Sequence, residues 1–169
     1  MEGKKILIIG CGGSGKSTLA QQLSRLLQIP VVNLDRLYWR ENWQHVSNDE
    51  FDRLLSNELL KPTWIIDGNY IRTMPHRLQY CDTVIYLDYS RSTCIIGALT
   101  RILQNYGKTR PDMGTNNPER FDGEFFKWIW NFNRNHRQEI LKMLSATSTK
   151  QILIFHTRKE CKKYLETFQ

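Results

Sequence analysis

The segment whose residue types and spacing point most directly to chemistry is Gly10-Cys11-Gly12-Gly13-Ser14-Gly15-Lys16-Ser17. It matches the P-loop pattern G-x-x-x-x-G-K-S/T, whose glycines let successive backbone N–H groups turn inward around an anion. A helix opening at Lys16 adds the positive end of its dipole. In such a cradle Lys16 bridges the terminal phosphates of a nucleoside triphosphate, Ser17 gives its hydroxyl to Mg²⁺, and Thr18 reaches the α-phosphate. The competing reading is a glycine-rich turn that happens to precede a helix. Context argues against it, since an apolar strand pattern comes before the motif and a helical pattern after. Cys11 has two readings, a thiol activated by the surrounding N–H donors or a small residue that fits the loop. The second is preferred.

Two carboxylates follow predicted strands, where phosphoryl transfer needs a cation to neutralise charge and a group to orient the nucleophile. Asp67, followed by Gly68, is assigned to the metal, and Asp35 to the acceptor substrate; the reverse assignment stays open. The competing reading for each is a cap on the turn or helix that follows it. Asp88 reads as structural, capping the helix that begins near Ser90. Tyr38, Trp39 and Trp43 follow Asp35 and would shape the acceptor pocket.

Arginine forks grip phosphates in pairs of hydrogen bonds. Arg72 and Arg77 follow the third strand and are candidates for the acceptor side, next to Gly68. Arg101, Arg110, Arg120, Arg134 and Arg137 lie in or around a segment that reads as a lid. Any one of them, taken alone, is an ordinary solvated charge. Their concentration in two segments is what suggests a role. The aromatic run from Phe121 to Phe132 could stack a base, but the spacing of Phe125, Trp128, Ile129 and Phe132 says core packing first. His45, His76, His136 and His156 show no ligand spacing.

These side chains must be positioned by elements, and the chain alternates short apolar runs with longer helical patterns. Strands are predicted at 5–9, 31–34, 63–66, 83–87 and 151–155, the first a continuous aliphatic run typical of sheets covered on both faces. Helices are predicted at 16–27, 47–60, 91–105 and 125–144, with a last one after Thr157. Ser47 with Glu50, and Thr157 with Glu160, have capping-box spacing. The order predicts a parallel α/β sheet with its ligands at the carboxyl ends of the strands. Residues 106–121 form a long polar loop containing Gly107, Pro111, Gly114 and Pro118, the kind of segment that serves as a lid.

The 169 residues suit one domain. No apolar run is long enough to cross a bilayer, and the start of the chain lacks a signal-peptide core; the expected location is the cytoplasm, with no membrane partner. Four scattered cysteines form no C-x-x-C pair, which argues against a metal cluster or a disulfide framework. The net charge of +7 suits polyanionic partners, nucleotides or nucleic acid. Monomer and homodimer both remain open.

With these residues in view, the chain resembles the adenylate-kinase-related P-loop proteins known as DNA topology modulation (FlaR-type) proteins. Four segments carry the resemblance: the P-loop, Leu34-Asp35-Arg36-Leu37-Tyr38-Trp39, Ile66-Asp67-Gly68-Asn69-Tyr70, and Arg110-Pro111-Asp112-Met113 with Pro118-Glu119-Arg120-Phe121-Asp122. Trp128-Ile129-Trp130-Asn131-Phe132 fits as well. The resemblance implies a three-layer fold of the nucleoside monophosphate kinase type, with a five-stranded parallel sheet of order 2-3-1-4-5 and a mobile lid. It also implies ATP and Mg²⁺ as donor and cofactor, and it supports the metal role of Asp67. Adenylate kinases follow their aspartate–glycine pair with Phe-Pro-Arg, whereas this chain has Asn69-Tyr70-Ile71-Arg72, which argues against AMP as acceptor.

The leading expectation is therefore a kinase that moves the γ-phosphoryl group of ATP to a small acceptor. A second class is an ATP-dependent regulator that binds DNA and affects its topology, using Lys142, Lys150, Lys159, Lys162 and Lys163. No groove-reading motif or DNA-cleaving tyrosine constellation supports it. A third is a plain NTPase with water as acceptor, which a lid disfavours. Residues 156–159, after the fifth strand, are expected to wall the purine.

Overall fold

A computed structural model describes residues 4–147 and 149–168. Five strands form one parallel sheet: β1 (Lys5–Gly10), β2 (Val31–Asn33), β3 (Trp64–Asp67), β4 (Thr83–Leu87) and β5 (Gln151–Phe155), in the order β2-β3-β1-β4-β5. Among the described residues seven α-helices accompany them: α1 (Lys16–Leu27), α2 (Leu34–Tyr38), α3 (Asn48–Leu59), α4 (Met74–Tyr80), α5 (Arg91–Asn105), α6 (Gly123–Ser145) and α7 (Arg158–Glu166). Consecutive residues Ile6, Leu7, Ile8 and Ile9 are all fully buried. Since neighbouring side chains on a strand point to opposite faces, the sheet is covered on both. The α/β class and the strand order match the expectation from sequence.

The register brings the chemistry-bearing strand ends to one edge. Asn33 of β2 pairs with Asp67 of β3, which lies beside Ile8 of β1, while Gly10 of β1 pairs with Leu87 of β4. The P-loop thus leaves the central strand with Asn33 and Asp67 on one side and the ends of β4 and β5 on the other. The crossing point of such a sheet is where ligands bind.

Two local expectations shift. Residue 34 opens α2 instead of closing β2, which moves Asp35 from a strand end into the first turn of a short helix. Asp67 is the last residue of β3, one position inside the strand rather than beyond it. A five-residue helix and the single-turn Ile71–Thr73 that leads into α4 are too short to carry a period in the sequence. The Ser47 and Thr157 caps form as expected, and Asp122 is a cap the sequence reading did not name. The Ser47 hydroxyl accepts from the Glu50 amide, Thr157 from Glu160, and Asp122 from Glu124 and Phe125, which starts α6 two residues before the predicted position.

Residues 106–121 are not loose. Tyr106 bridges to Glu119 and Thr109 to Pro118, folding the segment back on itself. Its tip docks on the turn after α2. The buried Asn117 side chain donates to the Arg40 carbonyl at 2.8 Å and accepts from the Trp43 amide at 2.6 Å. Gly114 packs so closely that a Cβ there would stand 2.4 Å from the Trp39 carbonyl oxygen.

Candidate active site

The P-loop is wedged between α5 and α6, and its glycines explain how. A Cβ on Gly13, whose φ is +76°, would stand 2.1 Å from the Cys94 carbonyl oxygen, and one on Gly97 would stand 2.0 Å from the Gly13 carbonyl oxygen. Backbone therefore meets backbone between loop and α5, which only glycine permits. A Cβ on Gly12 would run into Phe125 of α6 at 2.7 Å. The loop is anchored from the other side by Asn69, whose Oδ1 accepts from the Gly10 amide at 2.9 Å. Gly15, with φ +95° and open space around it, caps α1. The amides of Gly13 and Gly15 donate to no acceptor among the described residues, and the first amides of a helix have no partner inside it. This is an anion cradle.

Lys16 donates to the Cys11 carbonyl at 3.0 Å, which keeps its ammonium over the loop. The Ser17 hydroxyl donates to Asp67 Oδ2 at 2.6 Å. The other carboxylate oxygen of Asp67 is buried and has no hydrogen-bond partner. Burial pushes the Asp67 carboxyl up to about 6, against the opposing pull of Lys16 and Ser17. An orphaned carboxylate oxygen beside a P-loop serine fits a hydrated Mg²⁺, which keeps most of its ligands as water and phosphate. No group of three or more His, Cys, Asp or Glu among the described residues forms an all-protein metal cage, and a site of this kind needs none.

From this cradle a cavity of about 1100 Å³ extends along the carboxyl edge of the sheet. Residues 12–18 line it, as do Asp35, Asp67, Gly68 and Arg110. Asp35 is fixed by Tyr70, whose hydroxyl donates to Oδ1 at 2.8 Å. Gly10 and Cys11 sit beneath the cradle rather than in the cavity. The neighbouring Cys94 thiol and burial both push the Cys11 thiol up. The preferred reading, a small residue that fits the loop, is the one this geometry supports.

The other arginines are placed differently from one another. Arg77 is fully buried and does not line the cavity. It donates to the carbonyls of Gly68 (2.8 Å), Asn69 and Tyr70 (2.9 Å), and burial brings its guanidinium down to about 9. It staples the loop after β3 instead of facing an acceptor. Arg72 is exposed and forms a two-pronged pair with Asp52 at 2.7 and 2.8 Å, outside the cavity. Arg137 grips Asp88, which turns out to be buried and paired rather than a cap. Arg120 is exposed, its guanidinium 5.7 Å from the Trp43 ring centre, and Arg134 is exposed on α6. Tyr38 stacks on His45 and leans on Phe51 and Tyr70, so it packs under the acceptor side without lining it.

Several contributors were not singled out by sequence reasoning. Glu119 is buried and holds two arginines that face the cavity: Arg101 Nη2 at 2.8 Å, and Arg110 Nε at 2.7 Å in an ion pair too oblique for a good hydrogen bond. Asp112 takes the outer edge of Arg110 at 2.8 Å. Asn33 lines the cavity with an unpartnered side-chain oxygen, and Arg158 at the start of α7 donates to the Gly13 carbonyl at 3.4 Å. A charged residue after a strand looks the same in sequence whether it faces a cavity or a carbonyl. Arg158 was signalled through the expectation that residues 156–159 wall a purine, and Asp112 and Glu119 only as members of the segments that carry the resemblance.

Comparison with solved structures agrees with this architecture. A shikimate kinase from Acinetobacter baumannii in complex with shikimate superposes with a TM-score of 0.60, over 96% of this chain and 88% of that one, at 14% identity. The fold is that of the P-loop kinases. A shikimate kinase from Bacteroides thetaiotaomicron aligns over 97% of this chain and 95% of its own, at 18% identity with a TM-score of 0.49. No protein-family model and no curated protein sequence matches the chain. At 14% identity the likeness to the Acinetobacter baumannii enzyme establishes the fold alone, and the chemistry has to be argued from the site.

Proposed function

We propose that the chain transfers the γ-phosphoryl group of ATP to a hydroxyl of a small acceptor, with Mg²⁺ at Ser17 and Asp67. The observation that carries this reading is the single cavity that joins the phosphate cradle to Asp35. A bare NTPase has no need of a second, ordered carboxylate facing space beyond the phosphates.

The loop amides and Lys16 hold the β- and γ-phosphates, and the first turn of α1 adds its dipole. Ser17 and Asp67 hold the cation, directly or through its water. When bound, Mg²⁺ supplies charge neutralisation at the phosphates. Asp35 has one oxygen engaged by Tyr70, which leaves the other to accept the proton of an acceptor hydroxyl. As the acceptor's hydroxyl oxygen bonds to the γ-phosphorus, the bond from phosphorus to the β-phosphate oxygen breaks, giving ADP and a phosphomonoester, with the proton on Asp35. Arg101 and Arg110, gathered by Glu119, stand where the transferring group gains charge. The segment 106–121 acts as a lid that excludes water, and roles for Arg120, Arg134 and Arg137 at the phosphates require it and α6 to move.

The segments that resemble the DNA topology modulation proteins surround this cavity: Asp35 with Trp39, Asp67 with Tyr70, and Arg110 with Asp112. This supports reading that resemblance as one of catalytic apparatus. The neighbour bound to shikimate supports a small hydroxyl-bearing acceptor, and shikimate belongs in the first panel. The test is ADP release with Mg²⁺ and ATP across nucleosides, nucleoside monophosphates and small hydroxyl metabolites, with Lys16→Ala as blank. An acceptor that raises release well above the water background sustains the reading. Release that no acceptor increases, from a protein that still binds ATP, rejects it.

A further inference from the structure

The cavity has two halves, one on either side of the central strand, and their polar groups differ in kind. The lining contributed by α5 and α7 includes Arg101, Arg158 and Lys162, with Arg101 meeting Arg110 across the Glu119 they share. The lining contributed by β2, β3, α2 and residues 106–121 includes Asp35, Asp67 and Asp112, with Arg110 as its one basic side chain. Every other basic group that sequence would assign to this side is engaged elsewhere. Arg72 is locked to Asp52 outside the cavity, and Arg77 lies buried beneath the loop, on three carbonyls. Arg110 itself is held by Asp112 at 2.8 Å and by Glu119 at 2.7 Å.

What remains free on the β2–β3 side accepts hydrogen bonds. Asn33 is 9% exposed, and its Oδ1 has no partner. Asp35 has one oxygen on Tyr70 and the other uncommitted. Asp67 Oδ1, which also lacks a partner, is left to the cation, so Asn33 and Asp35 are the acceptors offered to the second substrate. Such a wall is satisfied by a ligand that brings donors, hydroxyl or ammonium. A carboxylate or phosphate brings only acceptors, leaves Asn33 unsatisfied and adds like charge. The ring of Trp39 completes the lining and suits a C–H face or a cation.

We propose that the phosphoryl acceptor is an uncharged or cationic alcohol, a polyol or amino alcohol without carboxylate or phosphate, held by Asp35, Asn33 and Trp39. Asp112 enforces this preference by neutralising Arg110. The proposal rests on the phosphotransferase reading above and narrows it.

The test compares kcat/KM for uncharged or cationic alcohols with their anionic counterparts: adenosine with adenosine monophosphate, glycerol with glycerate, ethanolamine with glycolate, and a wider library built on the same pairing. ATP·Mg²⁺ binding is measured in parallel. The expected result is that the non-anionic member wins in every productive pair by at least tenfold. Asp112→Asn, checked for folding by thermal melt, leaves Arg110 with only the Glu119 it shares with Arg101 and reduces that ratio at least threefold. An anionic member that wins overturns the proposal while leaving the kinase reading intact, as does a ratio that Asp112→Asn does not move. No turnover with any alcohol, from a protein that binds ATP·Mg²⁺, overturns both.

Discussion

The two sides of the P-loop are built on the same sheet edge yet solve different problems. Toward β4 and β5, backbone meets backbone through Gly13 and Gly97, aromatic rings of α6 press on Gly12, and the charged groups are basic. Toward β2 and β3, the loop after the strand is held open by a buried arginine and the charged groups are mostly acidic. On the reading proposed above, the first side grips a polyanion and the second receives a donor-rich partner. The contrast shows that the chain's net charge of +7 says little about what each half of the site binds, because pairing decides which charges are available.

The largest expected effect comes from the cradle that both halves share. Lys16→Ala should lower turnover by at least ~1000-fold and weaken ATP binding, read by calorimetry and ADP release, since one positioned cation at the phosphates is worth several kcal/mol. Asp67→Asn should reduce Mg²⁺-dependent turnover by about 100-fold or more. Its melting temperature without ligand should not fall, because the substitution removes a charge that is buried at a cost. Unimpaired turnover in Asp67→Asn would move the metal role elsewhere.

Next come changes that should separate the halves. Asp35→Asn should lower kcat by roughly 10²–10⁴-fold, the range for a lost general base, with its ATP affinity kept. Arg77→Ala should act on stability first, costing about 3 kcal/mol in denaturant unfolding because it strands three backbone carbonyls. A variant that kept full stability but lost acceptor binding would return Arg77 to the substrate. The smallest effect belongs to Arg72→Ala, whose exposed pair with Asp52 is worth below ~1 kcal/mol and whose loss should leave both KM values near wild type.

Much of this was legible before the fold was seen. The P-loop signature combines unusual residue types at fixed spacing with a strand before and a helix after, so Lys16, Ser17 and the cradle could be named directly. β4, β5, α1 and α5 coincide with the predicted bounds because each carries a clear apolar run or period. Asp67 was legible as a carboxylate at the edge of a strand. What sequence could not give is direction. Arg77 and Arg110 share a residue type and a polar neighbourhood, yet one turns inward to carbonyls and the other toward the cavity. Asn69, Gly97 and Glu119 work by contacts with residues 59, 84 and 18 positions away, and no local pattern encodes such partners. The docking of residues 106–121 through Asn117 is hidden for the same reason.

The most direct measurement is ATP·Mg²⁺ affinity, by calorimetry, for the wild-type chain, Lys16→Ala and Asp35→Asn. If the nucleotide occupies the cradle and the β4–β5 half while the acceptor takes the other, Asp35→Asn binds within about twofold of wild type and Lys16→Ala loses at least tenfold. Equal losses in both variants would contradict that division.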